Sequence, residues 1–99
     1  MSQNIPNNYT VIQTKHIQTS DGSYTYTLYY GDSIRTASMG IRLYSISIEF
    51  VDNDGVRGFA EAKEFFADKR KAFDFYNRLV CGLATPLNLP YIIEDELYS

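Results

Sequence analysis

From Tyr24 to Tyr30 the chain reads Tyr-Thr-Tyr-Thr-Leu-Tyr-Tyr, and this alternation constrains the fold more than any other feature. A period of two sets Tyr24, Tyr26, Leu28 and Tyr30 on one face and Thr25, Thr27 and Tyr29 on the other, which a β-strand does and a helix cannot. Gly40 to Val51 repeats the pattern, with Tyr44, Ile46, Ile48 and Phe50 opposite Ser45, Ser47 and Glu49. The aromatic and β-branched residues that carry both segments suit a pleated, half-buried surface. An all-helical fold is excluded.

The punctuation between strands is equally direct. Thr19-Ser-Asp-Gly22 and Asp52-Asn-Asp-Gly55 supply turn residues, each ending on a glycine free to take positive φ. Turns this short join antiparallel neighbours, so Tyr9 to Gln18 is predicted to precede the tyrosine strand and Val56 to Lys63 to follow the second one. Gly31 to Met39 is a longer polar connection, and residues 1–8, with three Asn and one Pro, form a flexible N-terminal tail. Asp68 caps a predicted helix that runs to about Leu83, with Ala72, Phe73, Tyr76, Leu79, Val80 and Leu83 on one stripe. Thr85-Pro86 breaks the chain, and Pro90 opens a short closing helix containing Ile92, Ile93 and Leu97. The expected class is α+β: a four-stranded antiparallel meander, then one main helix packed on the sheet and a short C-terminal helix. At 99 residues this is a single domain, residues 9–99 after the tail.

Charge and rare residues exclude several functions. Nine Lys and Arg against twelve Asp and Glu give a net charge of −3, whereas phosphate-neutralising proteins carry a basic excess, so direct nucleic-acid binding is disfavoured. One cysteine, Cys81, and one histidine, His16, preclude an intrachain disulfide and a cysteine-rich zinc site. Cys81 is expected to sit buried as a small hydrophobe. His16 lies near Ser20 and Asp21 but in no nucleophile-bearing frame, and reads as a solvent-facing strand residue. Asp52 and Asp54 resemble the opening of a calcium loop, but the glycine spacing is wrong and Lys63 stands where the bidentate Glu belongs. No cofactor, metal site or catalytic constellation is expected, and the chain reads as non-enzymatic. The polar N-terminus lacks signal-peptide regions, and no apolar run is long enough to span a bilayer, so a cytoplasmic location away from membranes is expected.

The segment from about Ser20 to Tyr98 resembles a family of short uncharacterised proteins from clostridia and related Gram-positive bacteria. The features that carry the resemblance are Tyr24-Thr-Tyr-Thr-Leu-Tyr, Gly40-Ile41, the helix from Asp68 through Leu83, and Pro86-Leu-Asn-Leu89 leading to Ile92-Ile-Glu-Asp95. The resemblance implies an α+β fold and no particular activity, that family being a domain of unknown function.

What remains for function is surface. Nine Tyr and six Phe, with no Trp, must fill much of the core, the strand tyrosines packing under the helix with their hydroxyls at its rim. The opposite sheet face is expected to expose Tyr29, Ile41, Leu43 and Phe59, a half-apolar patch fit for a protein partner or for self-association. Lys69-Arg70-Lys71 at the start of the main helix and Glu94-Asp95-Glu96 near the end of the closing helix both oppose the helix dipole, so they either pair with each other or face a partner. The expected function is a small protein-interaction or regulatory module. The alternative is a small acidic inhibitor, of anti-CRISPR or other anti-defence type, that occupies the basic groove of a nucleic-acid-handling enzyme complex.

Overall fold

The computed structural model describes residues 9–32 and 42–97. Strands β1 (Tyr9–Gln18), β2 (Gly22–Asp32), β3 (Arg42–Asp52) and β4 (Arg57–Phe66) precede helices α1 (Lys69–Cys81) and α2 (Leu89–Leu97). The strands lie in the order β1-β2-β3-β4 with every neighbour antiparallel, so the predicted meander followed by two helices is the observed architecture. The tail expected over residues 1–8, most of the connection after Gly31, and Ile41 lie outside the described residues.

Register decides which tyrosines enter the core. The β2–β3 ladder runs without a slip from Gly22↔Asp52 to Asp32↔Arg42, pairing Tyr24 with Phe50, Tyr26 with Ile48, Leu28 with Ile46 and Tyr30 with Tyr44. Tyr26, Leu28, Ile46 and Ile48 are fully buried, and α1 covers them with Ala72, Phe75, Tyr76 and Leu79. Leu89, Ile92 and Ile93 of α2 complete this layer, and α2 lies against β4. Phe75 was absent from the predicted stripe. The true centre of the buried face runs through it, and Phe73 and Val80 flank it half-buried.

The hydroxyls correct a second expectation. Rather than reaching the rim, the Tyr26 hydroxyl donates to the Ala84 carbonyl at 2.7 Å inside the core, and Tyr76 donates to the Tyr26 carbonyl at 2.8 Å. A buried ring can keep its polar end only where it finds an acceptor. Among the described residues no buried side-chain oxygen or nitrogen lacks a partner.

Asp68 caps α1 as predicted, its carboxylate accepting from the Arg70 and Lys71 backbone N–H groups. The helix ends at Cys81, two residues before the predicted limit. Leu83 takes φ 53°, its N–H donates to the Val80 carbonyl, and the Ala84 N–H donates to the Leu79 carbonyl. That bond pair is a Schellman motif with leucine at the left-handed position that glycine usually fills. Gly82 sits one residue too early to mark it. Cys81 is exposed at this end of α1, not buried as expected, because it faces away from the sheet.

β4 continues three residues beyond its predicted end. Tyr44↔Phe66 and Ile46↔Ala62 leave two extra residues on β4, and Glu64 in this bulge adopts φ 53°. Its N–H donates to Ser45 Oγ at 2.7 Å, which satisfies the ladder group that the bulge frees. The bulge returns Phe66 to the helix side, against Phe75 at 5.1 Å between ring centroids.

Candidate functional site

Two places gather polar or exposed side chains beyond what the core requires, and they lie at opposite ends of the strands. On the sheet face away from the helices, Tyr9 of β1 pairs with Gly31 of β2. Tyr9 stands on the same face as Tyr29, two residues along β2 from its cross-strand partner. Its hydroxyl donates to Glu64 on β4, although two strands intervene. The Tyr29 ring stands edge-on beneath it at 5.5 Å, with its hydroxyl donated to Glu61, and Lys63 Nζ lies 5.9 Å from the Tyr9 centroid. Two phenols and two carboxylates thus form one small polar network across four strands.

This network keeps its phenol protons. The hydrogen bond to Glu64 and then partial burial push the Tyr9 hydroxyl up to about 12. Burial, followed by the hydrogen bond to Glu61, pushes Tyr29 well above the ordinary phenol range. Each phenol beside a carboxylate is a donor at neutral pH, because a phenolate there would face like charge.

Tyr29 therefore corrects the expectation of an exposed apolar patch. It is 1% exposed, covered by Tyr9. Leu43 is half-buried, and Ile41 lies outside the described residues. Phe59, 45% exposed, remains on that face, paired across from Glu49. His16 is exposed there as well, its Nδ1 3.1 Å from Thr25 Oγ1.

The second place is an apolar cleft of 310 Å³ on the helix side, lined chiefly by Tyr24, Phe50, Val56, Gly58, Pro86 and Leu87. The Asp52–Gly55 turn and the loop after α1 form its two lips. Asp52 Oδ1 accepts from the Asp54 and Val56 N–H groups, which fixes the turn and holds Val56 outward. Thr85 accepts from Asn88 and Leu89, which holds Leu87 outward in the same way. Val56 is 63% exposed and Leu87 83%. Arg57 stands at the edge, paired with Glu49 at 3.1 Å. No sequence pattern marks this cleft, because its walls come from a turn and a loop about thirty residues apart.

The charged clusters lie on the helical layer. Lys69, Arg70 and Lys71 are exposed in the first turn of α1, with Lys69 Nζ 5.9 Å from the Phe73 ring centre. Glu94 and Asp95 are exposed on α2, and Glu96 is held by Arg78 at 3.1 Å. Arg78 also meets Asp74 one turn back at 3.4 Å. The basic triplet makes no ion pair with any described residue, so the acidic segment is braced by Arg78 instead.

No helix among the described residues is long and apolar enough to cross a membrane. Residues 8–99 match a family of unknown function (DUF6514), and the chain belongs to that family. No curated protein and no solved structure matches it.

Proposed function

We propose that this member of the family is a small non-enzymatic interaction module, acting by docking another protein chain at the apolar cleft. The observation that supports this reading is the outward placement of Leu87 and Val56 on the two lips of one apolar cleft. Fully covering a Leu or Val side chain gains about 1.5–3 kcal/mol, so a chain of this size leaves such residues in water at a cost unless they meet a partner. At 310 Å³ the cleft is near the lower end of small-ligand sites, about 300–1,000 Å³. It admits the apolar side chains of a partner more readily than a cofactor. Gly58 keeps it open: a Cβ there would only touch Pro86 at 3.6 Å, but a longer side chain would fill the space.

The acidic-inhibitor reading draws less support. A mimic of nucleic acid needs carboxylates gathered on one face, whereas Glu61 and Glu64 accept from tyrosines and Asp74 and Glu96 are paired with Arg78. Affinity capture from a lysate of the source cells tests the module directly, comparing wild type with Leu87→Asp. A protein retained by the first and lost by the second, at equal thermal stability, supports the cleft. Identical retained proteins refute it.

A further inference from the structure

The helical pair carries two exposed patches of opposite sign, Lys69, Arg70 and Lys71 on α1 and Glu94 and Asp95 on α2. Arg78 holds Glu96 at 3.1 Å, which places the acidic end of α2 beside the third turn of α1. The basic triplet is centred on Arg70, eight residues earlier on the same helix. At about 1.5 Å per residue the patches lie roughly 12 Å apart along the axis. Both helices bury a stripe in the same core, Ala72, Phe75, Tyr76 and Leu79 on α1 and Leu89, Ile92 and Ile93 on α2, so Arg70, opposite the first stripe, and Tyr91 and Glu94, opposite the second, point away from the sheet. On α2, Tyr91 precedes Glu94 and Asp95 by three and four, so the three share an outer face, and Tyr91 is 70% exposed.

A face that is positive at one end and negative at the other is complementary to itself. Turning a second copy by a twofold rotation sets the basic end of each over the acidic end of the other, and every contact occurs twice. The charges oppose their helix dipoles and make no ion pair with any described residue, so each chain alone leaves them uncompensated. The exposed Tyr91 ring, one turn before Glu94 and Asp95 on α2, supplies the apolar contact that such surfaces need. We infer that this face pairs two copies of the chain, Lys69, Arg70 and Lys71 of each meeting Tyr91, Glu94 and Asp95 of the other. This goes beyond the cleft reading, uses a separate surface, and stands or fails independently of it.

Sedimentation equilibrium on the full chain tests the pairing. At about 0.1 M salt charges are felt over about 10 Å, and at about 1 M over about 3 Å. The wild type forms dimers at the lower salt and weakens at the higher. One variant carries Glu94→Lys and Asp95→Lys, a second carries Lys69→Glu, Arg70→Glu and Lys71→Glu. Each alone associates of order ten- to thirtyfold more weakly, since four symmetry-related exposed pairs contribute about twofold each. Mixed in equal amounts, the two variants restore a dimer, because both ends are then complementary. Circular dichroism confirms that each is folded. A wild-type chain that stays monomeric at low salt and high concentration overturns the proposal. So does a dimer that resists charge reversal, and one lost instead with Val56→Asp places the second copy in the cleft.

Discussion

Tyr26 ties the sheet to the loop after α1, and replacing it with phenylalanine isolates one hydroxyl. The ring stays, with its packing against α1, and Tyr76 still donates to the Tyr26 backbone carbonyl at 2.8 Å. What disappears is the bond to the Ala84 carbonyl at 2.7 Å, in a place where Ala84 is 5% exposed. Stripping a buried acceptor of its donor costs about 1–3 kcal/mol, a large share of the roughly 5–15 kcal/mol that a domain of this length has in total. Tyr26→Phe is therefore expected to lower unfolding free energy by about 2 kcal/mol in urea at about pH 8, read by circular dichroism.

The same hydroxyl makes a second, independent demand. Burial, and then the neighbouring Tyr24, push Tyr26 up to about 12, against about 10 for an unfolded tyrosine. A raised folded value means that the folded state holds this proton more tightly. The stability it contributes is complete below about pH 10 and is lost as pH climbs through about 12. At about pH 11 the wild type has lost about 1.4 kcal/mol of it, and the phenylalanine variant has none to lose. Tyr76, pushed up to about 12 by burial, titrates in both proteins and cancels. The gap between wild type and variant should narrow by about that amount between about pH 8 and about pH 11. A difference below about 0.5 kcal/mol at the lower pH, or one that does not change with pH, refutes the reasoning.

Three further substitutions probe the local devices. Gly22→Ala is expected to cost more than about 2 kcal/mol in thermal melts, because its Cβ would stand 2.7 Å from Asp52 Cα, a backbone atom that cannot step aside. Asp68→Ala removes the acceptor for the Arg70 and Lys71 N–H groups and should cost about 1 kcal/mol by urea titration. Ser45→Ala strands the Glu64 N–H at the β4 bulge. It should cost about 1–3 kcal/mol and speed amide exchange at Glu64 above that of the strand residues on either side.

Period-two spacing and the two glycine-ended turns determined the meander from the sequence alone, since side-chain parity is a local property that any packing must respect. The Asp68 cap was legible for the same reason, its acceptor and donors lying within three residues. The α1 terminus was not, because Leu83 accepts a left-handed conformation that its identity does not announce. Strand parity places Tyr29 on the correct face but says nothing of its environment. Its cover comes from Tyr9, twenty residues earlier, whose ring stands edge-on to it at 5.5 Å. The bonds from Tyr9 to Glu64 and from Tyr26 to Ala84 join residues 55 and 58 positions apart, and the cleft likewise needs a turn and a loop brought together. Such sites exist only once register has been set, because a hydrogen bond or a cavity is a relation between surfaces. Sequence periodicity determined which residues each strand presents to either face; tertiary structure decided which of them meet.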